Sequence, residues 1–309
     1  MGAHKHDHHG HHSAQGAGAL FIRALALTLG FAAIEWVGGL YTGSLALMGD
    51  AGHMFSDSAA LALAALAARM AQRPASVRHS YGLVRAEVIA GFFNGLLMLA
   101  LIVFIVVEAI GRFQDPEPVA GGGVMAIAFT GILVNLAVAF MISRAEKTLN
   151  ARAAMLHVLG DLLGSFAALT AGAVVYFTGW LSIDPILSLV IAALILASAY
   201  SLLREALHVL MEGVPADIQL EAVGQELTRL AGVRAVHDLH VWTIASGQVA
   251  LSAHIELDEL SAWPNLLERA RITLRERFAI DHVTLQPEIP GWIKQPYTPQ
   301  VVIVPKSGS

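Results

Sequence analysis

Asp50-Ala51-Gly52-His53-Met54-Phe55-Ser56-Asp57 lies inside an otherwise apolar run near residues 46–69, with its histidine four residues before its second aspartate. A second copy of that spacing, His157-Val158-Leu159-Gly160-Asp161, lies inside another apolar run near 152–178. Positions i and i+4 of a helix stack on one face. Each run therefore offers one imidazole and one carboxylate to the same point in space. A buried aspartate in a membrane span costs about 2.5–3.5 kcal/mol even on lenient insertion scales, so its presence there points to function. Gluing helices together is a weaker reading, because amides and hydroxyls do that more cheaply. The two pairs, His53 with Asp57 and His157 with Asp161, make four ligands. A His2Asp2 set suits a tetrahedral divalent ion, zinc first. Asp50 shares the face at i−3 from His53 but stands nearer the end of its span, and its part in the site stays open.

The chain is 56% hydrophobic and only 14% charged over 309 residues, which is too apolar for a soluble protein and specifies an α-helical membrane protein. Its net charge of −5 is unevenly spread and gives no reason to expect a nucleic-acid partner. There is no cysteine, so any metal must be held by His, Asp or Glu. Residues 1–18 are polar and histidine-rich and do not read as a signal peptide. Six stretches are long enough to cross a bilayer, near 20–41, 46–69, 84–110, 122–143, 152–178 and 184–204. Basic connections carry Arg69, Arg73, Arg78 and Arg85, then Arg144, Lys147 and Arg152, and Arg204 follows the sixth span. They alternate with connections that are uncharged or mixed. The positive-inside rule then places both termini in the cytoplasm. Short loops and a composition rich in alanine and arginine point to a bacterial inner membrane.

The motif occupies the second span and recurs in the fifth. An odd number of spans separates the copies, as in an inverted repeat whose site lies where the halves meet. Gly160 and Gly164 form a small-xxx-small pair beside the ligands of the fifth span, which allows close helix approach. Glu35, Glu87, Glu108 and Asn135 also lie within or near spans, as buried partners or as the lining of a watery path rather than as direct ligands.

Beyond Glu212 and Pro215 charges return and apolar runs shorten. Residues 215–230 read as an amphipathic helix, 236–244 and 249–257 as strands joined at Ser246-Gly247, 264–278 as a helix, and 282–288 as a third strand. This αββαβ order suits an α+β ferredoxin-like domain. Residues 289–309 read as an extended, proline-containing tail. The division is a histidine-rich cytoplasmic tail over 1–18, a six-transmembrane-helix bundle over 19–211, a C-terminal cytoplasmic metal-binding and dimerisation domain over 212–290, and a tail over 291–309. The run His4-Lys5-His6-Asp7-His8-His9-Gly10-His11-His12 suits weak, exchangeable cation capture. In the soluble part His237, His240, His254, His282 and Glu288 fall in or beside strands. His237 and His240, three apart, point to opposite faces unless a bulge intervenes. His237 and His254 face each other across the hairpin.

DAGHMFSD, the loop RHSYGLVRAE, MLHVLGD, VHDLHVW, SAHIEL and HVTLQPE together resemble the cation diffusion facilitator family along nearly the whole chain. The resemblance implies six spans, cytoplasmic termini, a ferredoxin-like domain that pairs into a homodimer, and export of Zn2+ or related ions against protons. It places the transport site on His53, Asp57, His157 and Asp161, with histidine first in both motifs as in the zinc-preferring branch. It implies a cytoplasmic metal site at His237 and His254, with Asp281, His282 or Glu288 from the third strand, where Zn2+ acts as a regulator. Some relatives carry histidine where this chain has Gln286 and Leu83, so a further loop site around His79 is not supported. Arg85 and Glu212 sit where the family's dimer-holding cation–carboxylate pair would fall. The expected activity is proton antiport by alternating access, with divalent metal ions, protons and the bilayer as partners. Cd2+, Co2+ and Ni2+ remain alternatives to Zn2+. An intramembrane hydrolase would need an open coordination position and a general base, and no HExxH is present. A membrane-anchored metal sensor would have no use for two buried His/Asp pairs.

Overall fold

Residues 11–143, 149–245, 247–290 and 302–303 are described by the computed structural model. Six long helices come first: α1 (His11–Thr42), α2 (Leu45–Ala71), α3 (Ala86–Gln114), α4 (Gly121–Ser143), α5 (Leu149–Thr178) and α6 (Ile183–Leu210). All six are long and apolar enough to cross a membrane. Prolines sit where helices can tolerate them. Pro74, Pro116 and Pro118 lie in connections, and Pro185 occupies the first turn of α6, where its missing N–H would have no intrahelical partner. The helices run past the expected spans. α6 adds the polar turn through His208, and α1 begins inside the histidine-rich run, whose first part lies outside the described residues.

Contacts divide the chain into two bodies, one built from residues up to 63 with 93–202, the other from 64–92 with 203 onward. In the first, Leu45, Leu47, Ile105, Val124, Ala128, Ala168, Ala171, Ile195 and Ala199 form the main apolar core. Small residues set the helix spacing. A Cβ on Gly121 would stand 2.7 Å from the Gly172 carbonyl oxygen, so α4 and α5 touch through backbone. α1 and α2 are joined by a two-residue turn in which Gly43 takes φ 71°, and a Cβ there would meet the Pro118 carbonyl oxygen at 2.6 Å.

Asp184, in the first turn of α6, closes that end of the bundle. It is fully buried and accepts hydrogen bonds from Ser44 Oγ (2.5 Å), Leu45 N–H (2.7 Å) and Ala46 N–H (3.4 Å), capping α2 from another helix. Buried Arg112 of α3 lies 3.6 Å from Asp184, 3.2 Å from both Glu108 and Glu117, and donates to the Gly43 carbonyl. This network fixes where α2, the carrier of the first His/Asp pair, starts.

In the second body α7 (Leu220–Thr228) is shorter than the expected 215–230, because Pro215 to Gln219 form turns before it. β1 (Val233–Ala245), β2 (Gln248–Leu257), α8 (Trp263–Phe278) and β3 (His282–Glu288) follow in the expected order. A short strand β4 (Val302–Ile303), which the tail reading did not anticipate, pairs with Val236 and His237 of β1. The sheet order is β3-β2-β1-β4, antiparallel across β1–β2 and β1–β4 and parallel across β2–β3. Leu239, Val241, Leu251, Ile255, Leu266 and Leu274 fill the core between the sheet and the helices. The opposite face of the sheet carries the polar residues.

Candidate metal centre

α2 and α5 bring His53, Asp57, His157 and Asp161 together, each offering a ligand atom within 4.8 Å of the others. Asp57 Oδ2 lies 3.5 Å from His53 Nε2 and 3.3 Å from His157 Nε2, and Asp161 Oδ2 lies 3.7 Å from His157 Nε2. A tetrahedral ion with bonds of about 2.0–2.1 Å sets its ligand atoms about 3.3–3.4 Å apart. The observed separations are near that value. His53 Nδ1, Asp57 Oδ2 and both Asp161 oxygens are buried without a hydrogen-bond partner. Buried polar atoms left in that state mark a place for an ion.

A cavity of about 120 Å³ reaches Asp57 and His157 past Ser58, Leu61, Val158 and Ile142, towards the C-terminal ends of α2 and α4. His157 is 42% exposed, whereas Asp161 is 1% exposed. Asp50 does not join the four-residue cluster. It is buried at 2% exposure, accepts a 3.4 Å hydrogen bond from Ser165 Oγ, and packs against Gly164. Of the small-residue pair, Gly164 is the close contact, while a Cβ on Gly160 would meet nothing within 4 Å.

A second group forms in the C-terminal domain from His237, His254 and Glu288. His237 and His254 are directly opposed across β1–β2, with ring centroids 5.2 Å apart. Glu288 Oε2 lies 3.0 Å from His237 Nε2, and Glu288 Oε1 lies 2.9 Å from His254 Nδ1. The His254 Nδ1 approach is not aligned as a hydrogen bond. Gln286, which faces His254 in register, donates to Glu288 Oε1 at 2.9 Å.

His282 stands outside this group. It opens β3 opposite Ala250, and its ring meets Tyr81 edge-on at 5.5 Å. Six residues of strand, roughly 20 Å, separate it from Glu288. Asp281 instead pairs with Arg275 at 2.9 Å. His240 does share the face of His237, because Asp238, at φ 53°, is the extra residue of a bulge between them. His240 then turns to Asp238 (3.2 Å), whose other oxygen lies 3.8 Å from His254 Nε2. Asp238, unnoticed in the sequence, hydrogen-bonds the His240 ring and lies beside that of His254. Its signal was the odd spacing His237–His240 within a strand. Asp184 was missed as well. Its signal was a carboxylate in the first turn of an apolar span. Arg85 and Glu212 do meet, at 3.2 Å, within this one chain.

Six membrane-capable helices with a largely buried four-donor set, followed by an α+β domain with its own donor set, define a membrane carrier of metal cations rather than an enzyme. Residues 21–211 match the cation efflux transmembrane domain and residues 215–289 the cation efflux protein cytoplasmic domain, and the chain belongs to this cation efflux family, the cation diffusion facilitators. It is similar to the zinc transporter ZitB of Escherichia coli (strain K12), 39% identical over 93% of this chain and 92% of that one. The cadmium, cobalt and zinc/H(+)-K(+) antiporter of Bacillus subtilis (strain 168) is 37% identical over 91% of each chain. The metal cation efflux system protein CzcD of Cupriavidus metallidurans is 38% identical over 94% of this chain and 91% of that one.

Proposed function

We propose that the chain exports Zn2+ in exchange for protons, with His53, Asp57, His157 and Asp161 as the four ligands of the transported ion. The observation that carries this is the convergence of those four donors from α2 and α5 within 4.8 Å of one another, with buried polar atoms left unpaired. Zn2+ binds neutral imidazole and ionised carboxylate, so protons compete with it for the same atoms. The cavity lies on the side of the cluster towards Leu61 of α2 and Ile142 of α4, whose chains run on into the basic connections, and that is the cytoplasmic side if positive charge stays inside. Zn2+ enters there, the helices rock to open the other side, and protons arriving from that side take the imidazoles and release the ion. Both termini are then cytoplasmic, and the home is a bacterial inner membrane. The names of the relatives support zinc and antiport, and leave Cd2+ and Co2+ as competing cargo.

In the C-terminal domain His237, His254 and Glu288 would hold a Zn2+ that stays with the protein. Three donors leave one tetrahedral corner for water or a further residue. Two copies pair through this domain, and metal there biases the states of the carrier. The test is uptake of Zn2+ into vesicles of purified, reconstituted protein under an imposed pH gradient. Wild type accumulates Zn2+ and acidification on the binding side slows it. Asp57→Ala reduces uptake to that of empty vesicles, and uptake at the wild-type rate would refute the site.

A further inference from the structure

Glu35 of α1 is fully buried, and neither carboxylate oxygen has a hydrogen-bond partner. Phe31, one turn before Glu35, packs with Met54 of α2, and a Cβ on Gly131 of α4 would meet both the Phe31 ring (2.8 Å) and Ser165 Oγ (3.0 Å), so this face of α1 lies against the part of α2 and α5 that carries Asp50 and Ser165. Among the described residues Asp50, also buried, is bonded by Ser165 alone, which in turn accepts from Asn135 Nδ2 at 3.3 Å. α4, the next helix against α1 and α5, contributes Asn135 and no ionisable residue. The Asn135 Oδ1 is itself left without a partner. Four carboxylates, Glu35, Asp50, Asp57 and Asp161, thus share this interior with two imidazoles and no lysine or arginine from α1, α2, α4 or α5 at that depth. One divalent ion in the four-ligand cluster balances Asp57 and Asp161. It leaves Glu35 and Asp50, which in an apolar medium must hold protons or a further cation rather than stand as bare charges.

Their position is as informative as their charge. Asp50 precedes His53 by three residues on α2, and Ser165 follows Asp161 by four on α5. Both steps lead away from the cavity that opens at Asp57 and His157. Resting on the transport reading above, we propose that Glu35 and Asp50 form a second cation station beyond the four-ligand cluster, holding positive charge, as the departing metal ion or as protons, during each cycle. Both residues stand clear of the four ligands in sequence, so the station can be altered while the loading site is kept. Ser165 and Asn135 supply the neutral oxygens that complete the passage.

The experiment uses full-length protein in vesicles carrying Glu35→Gln or Asp50→Asn, each the same size as the residue it replaces. Two rates are read: Zn2+ uptake driven by a pH gradient, and Zn2+/Zn2+ exchange at equal pH. Net uptake should fall by about tenfold or more with KM for Zn2+ unchanged, since loss of a step after loading lowers turnover and not capture. Exchange falls in parallel if the station carries the metal ion, and is kept if it carries protons. Either pattern supports the station. Wild-type uptake in both variants overturns it, and so does loss of Zn2+ binding at the four-ligand cluster, which would assign the two residues to packing. The transport reading fails separately, through an active Asp57→Ala.

Discussion

Gly164→Ala tests whether the metal site depends on the close approach of α5 to α2. A Cβ at residue 164 would stand 2.7 Å from Asp50 Cγ and nearer still to Asp50 Oδ1. Asp50 cannot swing into water, because it is buried and held by Ser165. The methyl group must therefore push the helices apart. Overpacking of this kind costs about 1–3 kcal/mol. Asp161 lies one turn from Gly164, so the same displacement pulls it from Asp57 and His53. Bonds of about 2.0–2.2 Å tolerate little of that. If most of the strain falls on the bound state, Zn2+ affinity should drop about five- to a hundredfold, at 1.4 kcal/mol per factor of ten. Gly160→Ala is the internal control, since a Cβ there meets nothing within 4 Å. The assay is Zn2+ titration of purified protein, with both variants checked for intact thermal unfolding. Equal affinity in the two variants would refute the claim that helix approach at Gly164 builds the site.

Asp184→Ala should destabilise the bundle by about 1–3 kcal/mol, because it uncaps α2 and leaves the buried Leu45 N–H unpaired while Arg112 keeps Glu108 and Glu117, whereas Asp184→Asn should lose less by keeping part of the cap; thermal unfolding in detergent ranks them. Glu288→Gln should weaken Zn2+ binding to the C-terminal domain while pH-driven uptake at saturating Zn2+ continues, read by counting bound Zn2+ per chain alongside flux. Arg85→Ala removes a partly exposed pair and should cost no more than about 1 kcal/mol, so a larger loss in the unfolding midpoint would show that the Arg85–Glu212 contact does more than bridge surface charges.

The spans were legible because a bilayer forces each helix to be long and apolar, and six such runs stand out in any window. The four-residue cluster was legible for a related reason. His53/Asp57 and His157/Asp161 combine a local i,i+4 geometry with an environment that penalises every one of those groups. What local spacing could not show were relations across the chain. Asp184 caps a helix that begins about 140 residues earlier, and no local pattern announces that partner. Glu35 was visible as a charge in a span, but its complete burial with both oxygens unpaired arises only when the helices assemble. His282 was drawn into the cytoplasmic site because it sits in the right strand. A strand's length, about 3.3 Å per residue, puts its two ends too far apart to serve one ion. β4 escaped notice because a two-residue strand has no periodicity to detect.

The bulge at Asp238 makes that residue supernumerary to the hairpin. Val236, Leu239 and Val241 keep their inward aspect whether or not it is present, and His237 and His240 keep their outward one. Excising Asp238 would therefore iron out a kink and spare the alternation on either flank, whereas excising Leu239 would leave a hole in the core. Two homologous hairpins differing by one residue here can thus hold the same imidazoles in the same places, one with a carboxylate to steer them and one without.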